Sequence, residues 1–225
     1  QRLFEIGNTF TLKNSKKEKE NKTIGGLLQG SAAINNWKEQ SREISFYDLK
    51  GVVLDLLSQF KVDYSSSDSS VDFLHPGMSS SILLNNKEVG FMGSLHPKFL
   101  ENLGFKQDIF VFSFEVENLK DKSLTSFKQF SKFPSTSRDL AFLISKETSA
   151  ASIQKIIESS AGDFFKGIKI FDVYQGKGIP EDKKSIALSV SWQSMEQTLV
   201  DSDIDNVIEK IVNSVKEELD GELRV

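Results

Sequence analysis

The second half of the chain has the clearest hydrophobic periodicity. Leu140, Phe142 and Ile144 occupy alternate positions, which is typical of a strand with one buried face. Apolar residues at 3.6-residue spacing predict two amphipathic helices, and three further strands complete the pattern. The resulting order, β-α-β-β-α-β, is the ferredoxin-like plan. The predicted elements are strand 139–145, helix 148–162, strand 167–176, strand 185–193, helix 201–219 and strand 222–225.

Capping signals support both helices of this half. Thr148 is placed to cap the first helix, which we expect to end at Gly162. Ser202 and Asp205 have the spacing of a capping box at the start of the second helix.

The first half alternates short strands with helices. Residues 46–60 are its clearest helix, with a stripe of apolar residues that includes Val52. We interpret the charged run 13–22 as an exposed hairpin loop and the serine-rich run 65–70 as a loop. An antiparallel sheet with helices on one face is expected. The other predicted elements are strands 1–10, 23–30, 80–84, 89–92 and 109–116 and helix 97–103.

The chain is therefore predicted to be α+β, with two domains. The polar segment 119–134 ends in one of only four prolines and separates the halves, so we place the domains at residues 1–125 and 126–225. The chain also starts with Gln1 inside a predicted strand, and we expect it to be a piece of a longer protein.

Composition removes several classes of function. The hydrophobic fraction of 38% includes 18 Phe, enough to fill a core, but no run approaches the ~20 apolar residues of a membrane-spanning helix. The absence of Cys excludes disulfides, Cys-ligated zinc, iron–sulfur clusters and thiol nucleophiles. The formal net charge is −4, so any nucleic-acid site must be local.

The sequence contains no convincing catalytic or metal site. His75 and His96 each precede a proline, and we interpret both as turn residues. Metal binding by this pair with a carboxylate, or a hydrolase that uses one of them, remains an alternative. The acidic residues of 201–205 are expected to favour a helix N-terminus, and the Gly-Lys-Gly of 176–178 lacks the spacing of a nucleotide P-loop.

One face of the ferredoxin-like sheet is expected to be free of helices, as in many RNA-binding modules. Aromatic, acidic and basic residues lie on or beside its strands, where rings can stack on bases and charged groups can contact base edges or phosphates. Buried aromatics with solvated charges, or a small-molecule regulatory module of the same plan, are the alternatives. The residues concerned are Phe171, Asp172, Tyr174, Lys184, Ser185 and Arg224.

Several motifs occur together in one order. Residues 133–141 read FPSTSRDLA, residues 171–176 read FDVYQG, and the chain nears its end with Glu222-Leu223-Arg224. With the GIP of 178–180, the KKS of 183–185 and the TL of 198–199, residues 133–225 resemble the ferredoxin-fold anticodon-binding domain of the bacterial phenylalanyl-tRNA synthetase (phenylalanine–tRNA ligase) β-subunit family. The first half resembles the class II synthetase-like core of the same family, in FEIG at 4–7, FYDLKG at 46–51, HPG at 75–77 and the segment 90–97.

The resemblance implies a β subunit several times longer, whose editing domain is not in this chain. It implies a cytoplasmic α2β2 enzyme that uses ATP and Mg²⁺ to charge tRNA-Phe with phenylalanine, with the α subunit and the tRNA as partners. Neither cofactor is expected to bind this chain. Residues 112–117 contain no Arg of the kind that the catalytic subunit uses for ATP, so a non-catalytic scaffold is expected.

The resemblance also implies an anticodon site. Asp172 is expected to accept hydrogen bonds from a guanine edge, Ser185 to donate to a base or sugar, and Arg224 to hold a phosphate or base. Tyr174, Lys184 and Arg138 are further candidates. A free-standing RNA-binding or small-molecule regulatory protein, or a subunit-assembly scaffold with a degenerate tRNA site, would be alternative functions.

Overall fold

The chain forms two compact units, residues 1–126 and 127–225. The computed structural model describes residues 1–13, 17–33, 37–38, 40–60, 64–67, 69–119, 127 and 129–224. The predicted boundary between residues 125 and 126 lies within residues 120–126, which are outside the described residues, and it stays a prediction.

The first unit is built on a six-stranded antiparallel sheet. The strand order is β1-β2-β6-β5-β4-β3. The last strand, β6, therefore lies in the interior of the sheet, between β2 and β5. Its elements are β1 (Arg2–Lys13), β2 (Lys17–Gln29), α1 (Phe46–Ser58), β3 (Tyr64–Ser67), β4 (Leu74–Leu84), β5 (Lys87–Leu95), α2 (Pro97–Asn102) and β6 (Ile109–Glu115), followed by a 3₁₀ turn at Val116–Leu119.

Helix α1 covers one face of this sheet. Its Leu49, Val53 and Leu57 are buried in a core that also contains the alternate β6 residues Phe110, Phe112 and Phe114. Val52, predicted to belong to the buried stripe, is 42% exposed because it lies to one side of the contact with the sheet.

The carboxylate of Asp48 caps the N-terminus of α1. The backbone N–H and the hydroxyl of Ser45 both donate to Asp48 Oδ2, at 2.8 Å each. Arg42 adds an ion pair to Asp48 Oδ1 at 2.6 Å. These donors, the Arg42 hydrogen bond first, hold the pKa of the Asp48 carboxyl well below its usual range.

Two loop predictions are wrong in part. Residues 17–22 of the charged run belong to β2 and pair with β1 as far as Lys13↔Lys17. Ser65–Ser67 of the serine-rich run belong to the edge strand β3, which pairs with β4. In both places the backbone ladder forms without the apolar alternation that identifies a strand in sequence. Residues 14–16 and 68 of these runs lie outside the described residues.

The predicted strands 80–84 and 89–92 belong to β4 and β5, which form a tight antiparallel hairpin. Asn85 and Asn86 both have positive φ, 50° and 61°, as a two-residue hairpin turn of type I′ requires. Gly90 then lets β5 approach β6 closely, since a Cβ there would lie 2.0 Å from the Ser113 carbonyl oxygen.

The second unit has the predicted ferredoxin-like fold. Its sheet order is β10-β7-β9-β8, with every neighbouring pair antiparallel. Helices α3 and α4 pack on one face around Phe142, Ile186, Leu188 and Trp192. Its elements are β7 (Thr136–Ser145), α3 (Ala150–Ser160), β8 (Phe165–Tyr174), β9 (Lys183–Trp192), α4 (Asp201–Leu219) and β10 (Glu222–Leu223).

The helix caps of this unit differ from those predicted. Ser149, not Thr148, caps α3 by accepting the Ser152 N–H at 3.1 Å. Helix α4 already begins at Asp201, so Ser202 and Asp205 lie inside it, and Asp203 accepts the Val200 N–H at 3.1 Å. The end of α3 is as predicted, with Gly162 at a φ of 72°.

No helix within the described ranges is long and apolar enough to span a membrane.

Candidate nucleic-acid interface

The face of the second sheet opposite α3 and α4, which we call the open face, has a floor of small residues along its central strand β9. Asp139 and Leu143 of β7 and Lys169 of β8 share this face. Cross-strand pairing places Ala141 of β7 beside Ala187 of β9, and Ser185, Ser189 and Ser191 share the Ala187 side of β9. Such residues leave the sheet flat enough for a planar ligand. Neither helix of this unit covers the floor, because their buried residues belong to the core on the other side.

A β-bulge decides which β8 side chains reach this face. Ile168 and Ile170 pack on the helix side, and simple alternation would send Asp172 and Tyr174 the same way. The register shifts between Ile170 and Asp172, so that Asp172 pairs with Ala187 and Tyr174 pairs with Ser185. The extra residue, Phe171, turns Asp172 and Tyr174 onto the open face.

Asp172 and Arg224 lie on opposite edge strands of the second sheet, at the two ends of one row of cross-strand neighbours. The Arg224 N–H donates to the Ala141 carbonyl at 2.7 Å, which extends the β10 pairing by one residue. The row therefore runs Arg224, Ala141, Ala187, Asp172. Three strand spacings separate its ends by about 14 Å between backbones, so an acidic and a basic group flank the floor of small residues.

The neighbouring row contains Leu143, Ser185 and Tyr174. Ser185 is only 4% exposed, so its hydroxyl can reach only a group seated directly on the sheet. The Tyr174 hydroxyl donates to the Lys177 carbonyl at 3.2 Å, which orients the ring at the sheet edge.

Arg138 and Lys184 lie apart from these residues. Lys184 pairs with the helix-facing Ile144, and its ammonium donates to the Lys146 carbonyl at 2.8 Å. Arg138 pairs with the helix-facing Val190 and forms an ion pair with Asp201 at the N-terminus of α4. Their predicted contact with RNA stays a prediction, which this placement does not favour.

Each of the two histidines accepts a hydrogen bond from the backbone N–H two residues further along the chain. His75 Nδ1 accepts the Gly77 N–H at 3.0 Å, and His96 Nδ1 accepts the Lys98 N–H at 3.2 Å at the start of α2. His96 precedes α2, in agreement with its predicted turn role, whereas His75 lies inside β4, so its predicted turn role is wrong. Among the described residues there is no group of three or more His, Asp or Glu side chains suited to hold a metal ion.

The first sheet has an apolar groove of about 720 Å³. Leu27 and Val111 contribute to it and alternate with helix-facing residues of β2 and β6, so it opens away from α1. Leu3 and Phe99 are 62% and 43% exposed there, and Glu5 is the one charged residue in its lining. The sequence showed these residues as apolar but did not indicate that they would stay uncovered.

Two family models match consecutive parts of the chain. Residues 1–116 match the phenylalanyl tRNA synthetase beta chain CLM domain, and residues 131–224 match the ferredoxin-fold anticodon binding domain. The chain belongs to the phenylalanyl-tRNA synthetase beta chain family. The family membership inferred from sequence motifs is thereby confirmed, and so is the ferredoxin-fold anticodon-binding domain of the second half.

Curated relatives agree with this assignment. Phenylalanine–tRNA ligase beta subunits from Legionella pneumophila (strain Lens) and Pseudoalteromonas translucida are 39% and 36% identical to the chain, over 99% of its length. The chain spans only 28% and 29% of these relatives. A solved structure of pyrrolysyl-tRNA synthetase from Desulfitobacterium hafniense is similar over 52% of this chain and 39% of the synthetase chain. The sequence identity is 14% and the TM-score is 0.34, a similarity too slight to establish a shared fold.

Proposed function

We propose that this chain is the non-catalytic part of a phenylalanine–tRNA ligase β subunit that contacts the tRNA anticodon and supports the catalytic α subunit. The proposed whole enzyme is a cytoplasmic α2β2 assembly that charges tRNA-Phe at the expense of ATP with Mg²⁺. The observation that supports the anticodon site is the row of cross-strand neighbours from Arg224 to Asp172, which crosses a floor of small residues. This row lies in the unit that matches the anticodon-binding model.

The chemistry of the open face fits a nucleotide. The Asp172 carboxylate can accept hydrogen bonds from the donor groups of a guanine edge, whereas Arg224 can bind a phosphate or a base acceptor. The Tyr174 ring offers a stacking surface beside Ser185. Residues 128–225 carry 13 basic and 16 acidic side chains, so affinity must come from these local contacts and from the rest of the enzyme.

The first unit suits a scaffold. We propose that it has a class II synthetase-like core without catalytic activity, supported by the lack of an Arg in residues 112–117. Its uncovered groove is lined almost wholly by apolar side chains, as expected for a surface that binds another protein. The α subunit is the proposed partner of this part of the chain.

A free-standing RNA-binding or regulatory protein is the less favoured reading. Both units match domains described for this ligase family or for anticodon binding, in the order in which they occur here. A borrowed anticodon-binding domain alone would not account for the match of residues 1–116.

An NMR titration of the ¹⁵N-labelled chain with a tRNA-Phe anticodon stem-loop tests the anticodon site. We expect shifts around Asp172, Ser185 and Arg224, and their loss when one anticodon base is altered. Arg224→Ala should weaken binding by about 1–3 kcal/mol, because one positioned charged contact is removed. Lys210→Ala, an exposed lysine on α4, is the matched control and should leave binding unchanged.

Two results would contradict the proposal. One is the absence of chemical-shift changes at these amides at millimolar RNA. The other is equal weakening by Arg224→Ala and Lys210→Ala, which would indicate a diffuse charge effect without a defined site.

A further inference from the structure

The loop between β8 and β9 encloses a basin that the anticodon residues do not use. The basin has a volume of about 610 Å³ and lies at the end of the sheet, within residues 175–183 and beside Lys146. Three lysines line it, namely Lys146, Lys177 and Lys183, together with the single carboxylate of Glu181. The Gly-Lys-Gly of this loop lacks the spacing of a nucleotide P-loop, and no motif of the sequence indicates the basin.

The loop is held in place by hydrogen bonds at several points. Ile179 N–H donates to the Gly176 carbonyl at 3.0 Å, and Lys183 N–H donates to the Pro180 carbonyl at 3.0 Å. Lys146 N–H donates to the Asp182 carbonyl at 2.8 Å, and Tyr174 holds the Lys177 carbonyl. Gly176 and Gly178 have φ values of 148° and 91°, which L side chains rarely adopt. The basin is therefore shaped before any ligand arrives.

The positive charge of the basin is only partly neutralised. Lys183 forms an ion pair with Glu222 at 3.3 Å, and the Lys184 ammonium is bound to the Lys146 carbonyl. The ammonium groups of Lys146 and Lys177 have no carboxylate within ion-pair distance among the described residues. Two unpaired lysines that line one preformed concavity favour an anion with several acceptor oxygens.

The basin continues the open face. Lys183 is the first residue of β9, two residues before Ser185, and pairs with Ser145. Tyr174, which pairs with Ser185, donates a hydrogen bond to the loop. A nucleotide whose base lies over Ser185 and Tyr174 would place a flanking phosphate near this end of the sheet, since Lys183 is two residues, about 7 Å, from Ser185 along β9.

We propose that the basin binds a phosphodiester of the RNA backbone next to the nucleotide on the open face. This inference rests on the proposed anticodon-binding function. Lys146 and Lys177 supply the charge, and the loop supplies the shape. The contact is independent of base identity, so it adds affinity and register, while Asp172 and its neighbours provide the sequence preference.

Fluorescence anisotropy tests the site with the whole 225-residue chain and two labelled stem-loops, one with the tRNA-Phe anticodon and one with an altered anticodon base. Binding is measured across a series of KCl concentrations. We expect Lys146→Gln and Lys177→Gln each to weaken binding of both RNAs by the same factor, about fivefold. Each should also reduce the slope of log K against log salt by about 1. Lys155→Gln, an exposed lysine on α3, is the matched control and should change neither quantity.

The outcomes separate this inference from the proposed function. If the chain prefers the correct anticodon but Lys146→Gln and Lys177→Gln behave like Lys155→Gln, the basin proposal is wrong and the anticodon site stands. If neither RNA binds at low salt, both proposals are wrong. Inorganic pyrophosphate that saturates the basin at micromolar concentration without RNA would assign the site to a small free anion and also overturn the proposal.

Discussion

The two sheets of this chain differ in the residues on the face that is not packed against the core helices. One face of the first sheet is covered by α1 and one face of the second by α3 and α4, and these three helices leave the opposite faces bare. In the first unit α2 borders the bare face through Phe99, so the predicted placement of the helices on one face is wrong for α2. On the first sheet the bare side carries an apolar groove with Leu3 and Phe99 exposed. On the second sheet it carries Ala and Ser between the charged edges of Asp172 and Arg224.

The difference indicates which kind of ligand each sheet can take. An apolar groove gains free energy when another apolar surface displaces water from it. A flat floor of small residues has little apolar area to bury, so its affinity must come from stacking, hydrogen bonds and charge. The same half-covered architecture thus suits a protein partner in one unit and a nucleic acid in the other.

The largest expected effect tests whether the groove is bare in the free chain. Phe114 is 1% exposed under α1, whereas Phe4 lines the groove and is 77% exposed. Phe114→Ala should lower the free energy of unfolding of the first unit by about 3–5 kcal/mol through the cavity it leaves. Phe4→Ala should change it by less than about 0.5 kcal/mol.

Urea unfolding followed by circular dichroism measures both values. A loss from Phe4→Ala as large as that from Phe114→Ala would mean that the groove is already covered in the free chain, and the contrast between the sheets would fail.

A smaller effect is expected at α1 and α4, each of which has an Arg–Asp ion pair at its N-terminus. In the first unit Asp48 has a lowered pKa and also binds Ser45. Asp48→Asn should cost about 1 kcal/mol at pH 7, the size of a lost helix cap. Because the folded-state pKa is the lower one, this stabilisation is present above the unfolded value of about 3.9 and is lost as the pH falls below it.

Unfolding measured between pH 7 and pH 2.5 checks the sign. The difference between the parent chain and Asp48→Asn should stay constant down to about pH 4 and then shrink. A difference that grows towards acid pH would show that another group is responsible.

The smallest effect is expected at the corresponding pair of the second unit, Arg138 and Asp201. The Asp201 side chain is 84% exposed, so Arg138→Gln should change stability by less than about 1 kcal/mol, and by less still at high salt. We expect no change in RNA affinity, because Arg138 lies on the helix-facing side of β7. A loss of affinity comparable with that of Arg224→Ala would move the RNA contact to that side.

Sequence patterns predicted the elements that bury an apolar face and missed those that do not. Helix α4 was predicted with its observed ends because its stripe is long and regular. Strand β3 was missed because its Tyr-Ser-Ser-Ser sequence has no alternation and forms through pairing with β4 alone.

For the candidate site, sequence reasoning identified the residue types but not their arrangement. Asp172, Ser185 and Arg224 were named, yet the bulge at Phe171 that brings Asp172 to the open face has no signal in the sequence. Lys184 and Arg138 carry the right charge but lie on the helix-facing side, which becomes clear only from the register with Ile144 and Val190. The lysine basin was missed because Lys146 is distant in sequence from the loop.

The short connection between α4 and β10 has a consequence for how genes of this family can change length. Asp220 has a φ of 50°, and a Cβ on Gly221 would lie 2.6 Å from Val215 Cγ1, so the residues Asp220 and Gly221 suit this tight turn. Because strand side chains alternate sides, an insertion or deletion of one codon here would leave β10 paired but exchange Arg224 with Leu223 across the sheet. A reading-frame-preserving change that looks harmless would thus remove the basic edge of the open face, whereas a two-codon change could restore it.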